Sequence, residues 1–185
     1  MKQQKYLLVH QYNLIIVARS SVELEKIADD FSEIYGVQVL PIAKDFFKSE
    51  SAFELYGEIK AEGIQVDVLV NNAGQGVYGR FIDTDIYEEL DIIQLNINAY
   101  VVLTKLFLRD MVERLDGKIL NVASIAGKIP GPFQSVYHGT KAFVHSFTEA
   151  IRAETADMGV TITSLLPGAT DQIFSKMHIW KTQKC

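Results

Sequence analysis

The sequence predicts one doubly wound α/β domain, a parallel sheet with helices on both faces, and three observations carry that expectation. Short apolar runs rich in Val, Ile and Leu alternate with longer amphipathic segments, the pattern of strands buried on both faces and joined by crossover helices. At 185 residues, 48% apolar and 22% charged, the chain is long enough for one substantial core and too short for two. No linker, repeat or low-complexity stretch divides it, so residues 1–185 read as a single domain.

The elements follow in order. NLIIVA (13–18) reads as a buried strand. SSVELEKIADDFSEIY (20–35) carries apolar residues at helical spacing, with serines suited to cap its start. VQVLPI (37–42) is the next strand, and SESAFELYGEIKAEG (49–63) the next helix, again opened by serines. VDVLV (66–70) is a third strand, followed by a long helical span from Asp85 to Leu115. KILNVA (118–123) and VTITSLL (160–166) are the last two strands, flanking the helical pattern SVYHGTKAFVHSFTEAIRAE.

Charge and cysteine usage narrow the function classes. The net charge is −5 with acids and bases interspersed, so no basic patch points to nucleic acid and no cationic helix to an anionic membrane. MKQQKYLLVHQYN is broken by polar residues and no cleavage pattern follows, which argues against a signal peptide. No run approaches the ~20 apolar residues of a membrane helix, so a soluble protein is expected. Cys185, the single cysteine, is the last residue; it allows no internal disulfide and no cysteine metal cluster, and fits a reducing cytoplasm. His138, His145 and His178 lack paired ligand spacing, so no metal is assigned.

Two stretches carry candidate chemistry. GQGVYG (74–79) matches the G-x-G-x-x-G dinucleotide fingerprint, which counts only between a first strand and a first helix. In SIAGKIPGPFQSVYHGTK, Tyr137 and Lys141 stand four apart at a helix start, on one face. A free tyrosine titrates near pH 10, too high for proton transfer near neutrality, and a neighbouring ammonium stabilises the phenolate. Alone, the pair reads equally as a half-buried Tyr beside a snorkelling Lys. Ser124, at the carboxyl end of KILNVA, tips the balance, because ligands of open α/β sheets bind beyond that end of the strands.

With NNAG (71–74), the asparagine of LNINAYVVLT, Ser124, Tyr137 and Lys141 in S-x12-Y-x3-K, and LLPG (165–168), the chain resembles the classical short-chain dehydrogenase/reductase family from about Asn13 to Gly168. The resemblance implies a Rossmann-like sheet and an NAD(P)(H)-dependent oxidoreductase acting on a small-molecule carbonyl or alcohol. It implies that Tyr137 is the catalytic acid/base, that Lys141 lowers its pKa and holds the nicotinamide ribose, and that Ser124 hydrogen-bonds the substrate carbonyl. The family's fourth residue, an asparagine, falls on Asn96, eight positions before Thr104, with Asn98 in reserve. By the same resemblance, Asn72, Ala73 and Gly74 would pack beside the adenosine part of the cofactor, Pro167 and Gly168 would belong to the same site, and GQGVYG would be a loop rather than a phosphate fingerprint.

On the cofactor side, Arg19 and Ser20 stand where an acid would accept the ribose hydroxyl of NAD; they suit a 2'-phosphate, so NADP(H) is expected over NAD(H). Arg19 reads equally as a solvated arginine at a strand end. Asp45 matches the family's adenine-contacting acid, with a turn cap as the alternative. Ile129, Pro130, Phe133 and Gln134 line an apolar pocket or pack an ordinary loop.

The chain also departs from the family. The earliest glycine is Gly36, so no glycine-rich turn precedes NLIIVA, and KQQKYLLVHQ looks like the tail of the family's first helix. The family's sheet order, 3-2-1-4-5-6-7, then leaves two strands without their shared central partner. Gln172 replaces a threonine after LLPG, and FSKMHIWKTQKC offers no further strand. The expectation is a fold lacking its first and last strands, truncated at both ends, with a non-catalytic remnant acting as an interaction module or an unstable fragment as the alternative. Val102, Leu106 and Met111, with Phe143, Phe147 and Ile151, exceed what one sheet face needs; the family pairs these helices across a two-fold axis, so a homodimer or homotetramer is expected.

Overall fold

In the computed structural model, residues 12–168 and 178–182 are described. Strand β1 (Asn13–Ala18) leads to α1 (Ser21–Tyr35), β2 (Val39–Ala43), α2 (Ser51–Ala61) and β3 (Val66–Asn71). Then come α3 (Ile86–Ile93), a π-helical turn (Gln94–Asn98) and α4 (Ala99–Glu113) in one continuous run. Strand β4 (Gly117–Val122), a 3-10 turn (Ile125–Lys128), α5 (Ser135–Glu154), β5 (Val160–Leu165) and β6 (His178–Thr182) complete it.

The five expected strands form, as a parallel pair β2-β1 and a parallel trio β3-β4-β5 within the six-stranded order β2-β1-β6-β3-β4-β5. Every core-facing residue of β1 is covered. Leu14 and Ile16 meet Leu24 and Ala28 of α1, while Ile15 and Val17 meet Leu55 and Ile59 of α2 and Leu103 of α4. Burial of each such side chain stabilises the fold by about 1.5–3 kcal/mol, which holds β1 between two helical layers.

Strand β6, third in the sheet, corrects two expectations. FSKMHIWKTQKC does contain a strand, and the gap left beside β1 is filled. Strand β6 runs antiparallel between β1 and β3, with Trp180 opposite both Ile15 and Leu69. Its register against β3 slips between Val66 and Val68, as expected where an antiparallel strand is fitted into a parallel frame. The physical reason is pairing. Without β6, two largely buried strands would face each other with open backbone groups, each costing about 1–3 kcal/mol where buried. The segments KYLLV and Gln172 lie outside the described residues.

The expected serine cap forms at α1 and not at α2. Ser20 caps α1, accepting from Glu23 N at 3.3 Å, and Gly36 closes that helix at φ 65. No serine caps α2: Glu50 holds the cap position without a side-chain bond, and Ser49 donates to the Glu50 carboxylate instead. The run Ile86–Glu113, 28 residues with mean hydropathy 1.2, is long and apolar enough to cross a bilayer by length and composition, contrary to expectation. Here its Tyr100, Leu103, Phe107 and Met111 are buried. Met111 packs against Gly117, and Val102 and Ile151 pack on the core, so these three are not surplus positions; Phe143 and Phe147 stack at 5.8 Å, with Phe143 exposed.

Proline at position 180 tests the central strand directly, since it removes a ladder donor that an interior strand needs. Trp180→Pro is expected to lower the melting temperature by roughly 5 °C or more, read by circular dichroism. An unchanged melt would mean that 178–182 is not paired within the sheet.

Candidate active site

The carboxyl ends of β3, β4 and β5 open onto a cavity of about 440 Å³. Asn72 and Gly74 line it after β3, Val122 to Ala126 after β4, and Pro167 and Gly168 after β5. Ile129, Gln134, Tyr137, His138 and Lys141 close the remaining wall. Ser124, Tyr137 and Lys141, separated in sequence, thus meet around one space. Helix α5 starts beside the 3-10 turn, and one helical turn carries the wall from Tyr137 to Lys141.

Lys141 is 3% exposed. Its Nζ donates to Val122 O at 2.9 Å and lies 5.6 Å from the Tyr100 ring centre and 6.0 Å from that of Tyr137. Burial pushes the ammonium down from 10.5 to about 8. Gly74 makes room for it, because a Cβ there would sit 3.0 Å from Nζ. Gly76 lies as closely on Tyr137, where a Cβ would come within 2.9 Å of Cδ2. NNAG and the following loop are therefore backbone laid flat against the Tyr/Lys pair, and GQGVYG runs into loop rather than helix, as expected.

Asn96 and Asn98 part company. Asn96 is fully buried in the π-helical turn; its Oδ1 accepts from Gln75 N at 3.1 Å, and its Nδ2 donates to Gln75 O and to Thr140 Oγ1. Thr140 in turn donates to Tyr137 O at 2.8 Å. Asn98 is exposed and bonds Gln94. Ser124 caps the 3-10 turn, accepting from Ala126 N at 3.1 Å, with φ −167, while its side chain borders the cavity.

A buried polar relay ties the strand ends together. Asn71 donates to Asn121 Oδ1 and Thr104, and Asn121 donates to Thr148. Helices α4 and α5 are thereby pinned to β3 and β4 just beneath the site.

The remaining candidates lie elsewhere. Arg19 is exposed and stacks over Phe47 at 4.9 Å; Ser20 caps α1; Asp45 closes a turn, accepting from Phe47 N at 3.2 Å. Ala73 is buried, and its carbonyl accepts from Tyr100. Of the four loop candidates, Ile129 and Gln134 line the cavity, whereas Phe133, at φ 67, stacks on Tyr78. His138 lines the cavity and bonds Ile129 O, and His145 bonds Lys128 and Ser164. Sequence reasoning missed Tyr100 and Thr140, and weighed His138 only as a metal ligand. The available signals were Tyr100 one helical turn after Asn96, and Thr140 and His138 beside the Lys and the Tyr.

Lys141 has a measurable consequence for stability. Its folded pKa lies below its unfolded one, so the unfolded chain holds the proton more tightly between about pH 8 and pH 10.5. The burial penalty is complete below pH 8 and is relieved as pH rises through that window. Lys141→Met is expected to be more stable than the parent at pH 7, by up to about 3 kcal/mol, with the gain gone near pH 10.5. Denaturant melts at both pH values check the sign; equal stability at pH 7 would contradict it.

Comparison with known proteins fits this geometry. The chain is 36% identical over 158 residues to the very-long-chain 3-oxoacyl-CoA reductase of Anas platyrhynchos, covering 82% of this chain and 50% of that protein. It is 33% identical over 163 residues to the 17-beta-hydroxysteroid dehydrogenase type 3 of Mus musculus, covering 85% and 52%. It therefore spans about half the length of these curated relatives. A short-chain dehydrogenase from Sphingobium yanoikuyae in complex with NADPH superposes with TM-score 0.86 at 25% identity, covering 91% of this chain and 66% of that one. Residues 4–183 match the family described as short chain dehydrogenase, and with that match the chain belongs to the short chain dehydrogenase family.

Proposed function

We propose that the chain transfers hydride between NADP(H) and a small-molecule carbonyl or alcohol, with Tyr137 passing the proton. The observation that carries this reading is the convergence of Ser124, Tyr137 and Lys141 on one cavity at the carboxyl ends of the strands. The coenzyme, when bound, supplies or accepts the hydride.

The residues suit the nicotinamide-ribose half of that coenzyme better than the diphosphate half. Asn72, Gly74, Tyr137, Lys141, Pro167 and Gly168 border the cavity. Ser20 and Arg19 stand at the end of β1 with Asp45 beyond β2, positions suited to the adenosine end and its 2'-phosphate. Between these groups, where a glycine-rich turn and a helix N-terminus would cradle phosphate, the sheet holds antiparallel β6. Binding is therefore expected to be weak.

The chain's own groups divide the proton chemistry. Tyr137 Oη gives its proton to the carbonyl oxygen during reduction and takes it back during oxidation. Lys141 is mostly protonated at neutral pH, and its charge stabilises the negative charge that develops as the phenol proton leaves. Ser124 donates to the substrate oxygen, its own oxygen still accepting from Ala126 N. Asn96, through Gln75 and Thr140, holds the loop and the tyrosine helix at a fixed spacing.

Leu106, Phe143 and Phe147 remain as the apolar stripe for pairing with a second copy. Sedimentation of the chain at micromolar concentration is expected to give a dimer or larger, and a folded monomer mass would contradict this.

NADPH oxidation by the 185-residue chain with a ketone substrate tests the central reading. Turnover is expected only at millimolar NADPH, since the described residues offer the diphosphate no glycine-rich turn at a helix N-terminus. Tyr137→Phe is expected to lower kcat by at least about a hundredfold with an unchanged melt. Undiminished reduction by that variant would sink the mechanism; absence of both turnover and any NADPH-dependent thermal shift would favour the non-catalytic alternative.

A further inference from the structure

Tyr100 is the largest fully buried side chain among the described residues, and the proton chemistry above makes no use of it. It sits one helical turn past Asn96, where α4 passes under the ends of β3 and β4. Its hydroxyl donates to Ala73 O at 2.8 Å and lies 3.5 Å from Val122 O. Val122 O is also the acceptor of Lys141 Nζ, so the phenol and the ammonium share one carbonyl. The ammonium stands 5.6 Å from the centre of the Tyr100 ring, within the range in which a cation is held by an aromatic face.

We propose that Tyr100 is a positioning residue for Lys141, its ring holding the buried ammonium and its hydroxyl fixing the NNAG backbone against which that ammonium rests.

Charge has little other support there. No carboxylate pairs with Lys141 among the described residues. The groups facing it are the Tyr100 ring from α4, the Tyr137 ring from α5, the Val122 carbonyl and the Gly74 backbone. Desolvation is the sole cause of its lowered pKa, so each remaining favourable contact counts. Tyr100 stays a neutral donor, because burial, then the neighbouring Tyr137, drives its phenol far up. Its hydroxyl is thus held on the carbonyls while the ring face is left to the cation.

The consequence for turnover rests on the proposed role of Lys141, but the positioning does not, and the test is independent of activity. The titration of Lys141 is followed by 13Cε and 15Nζ NMR in the full 185-residue chain. Tyr100→Phe keeps the ring and is expected to titrate within a few tenths of a unit of the parent. Pentafluorophenylalanine at position 100 keeps the shape but removes the negative ring face, and is expected to lower the midpoint by roughly one unit. Tyr100→Leu is expected to do the same if it folds; should it not, the two phenyl variants decide alone. Equal midpoints for phenylalanine and pentafluorophenylalanine would overturn the proposal, even if both variants lost stability.

Discussion

The structure depends on one constraint: a strand buried on both faces must also be paired on both edges. Leu14 to Val17 are almost wholly inaccessible, so β1 has no solvent to satisfy its backbone. Pairing with β2 serves one edge, and β6 serves the other. Because β6 also pairs β3, the same strand joins the β1–β2 unit to the β3–β4–β5 unit that carries the site. The sheet is continuous only through it.

Continuity sets how the edge that carries the cavity is built. Along β3, β4 and β5 the strands are parallel and end together, which brings NNAG, Ser124 and LLPG to one edge. Asn71 and Asn121, paired in register and bonded to each other, lock that edge and take Thr104 and Thr148 with them. Among the described residues, Asn71 Oδ1 is buried with no hydrogen-bond partner. At β6 the direction reverses. The cavity is thus bordered by the ends of β3, β4 and β5, while β6 runs against the direction of the strands on either side of it.

Around Lys141 the packing follows from small residues. Gly74 and Gly76 leave room for the ammonium and the tyrosine ring; Thr140 and Asn96 then fix the distance between loop and helix. A buried ammonium opposes stability, and the surroundings offset it with a carbonyl and two ring faces instead of a carboxylate.

Periodicity and motif spacing by themselves determined the five parallel strands, the helices between them, and the grouping of Ser124, Tyr137 and Lys141, because these rest on alternation of apolar residues and on helical geometry within short stretches. Asn96 was separable from Asn98 only by its spacing to Thr104; its burial against Gln75 and Thr140 depends on a π-helical turn that no local propensity announces. Arg19, Ser20 and Asp45 were legible as strand-end residues, yet their stacking, capping and turn bonds are set by neighbours far away in sequence. Tertiary structure alone decided the centre of the sheet. HIWKT is short, and nothing within it specifies a partner. It becomes a strand because β1 and β3, fixed by their own cores, present two unpaired edges one strand apart, and pairing both is worth more than any preference of those five residues.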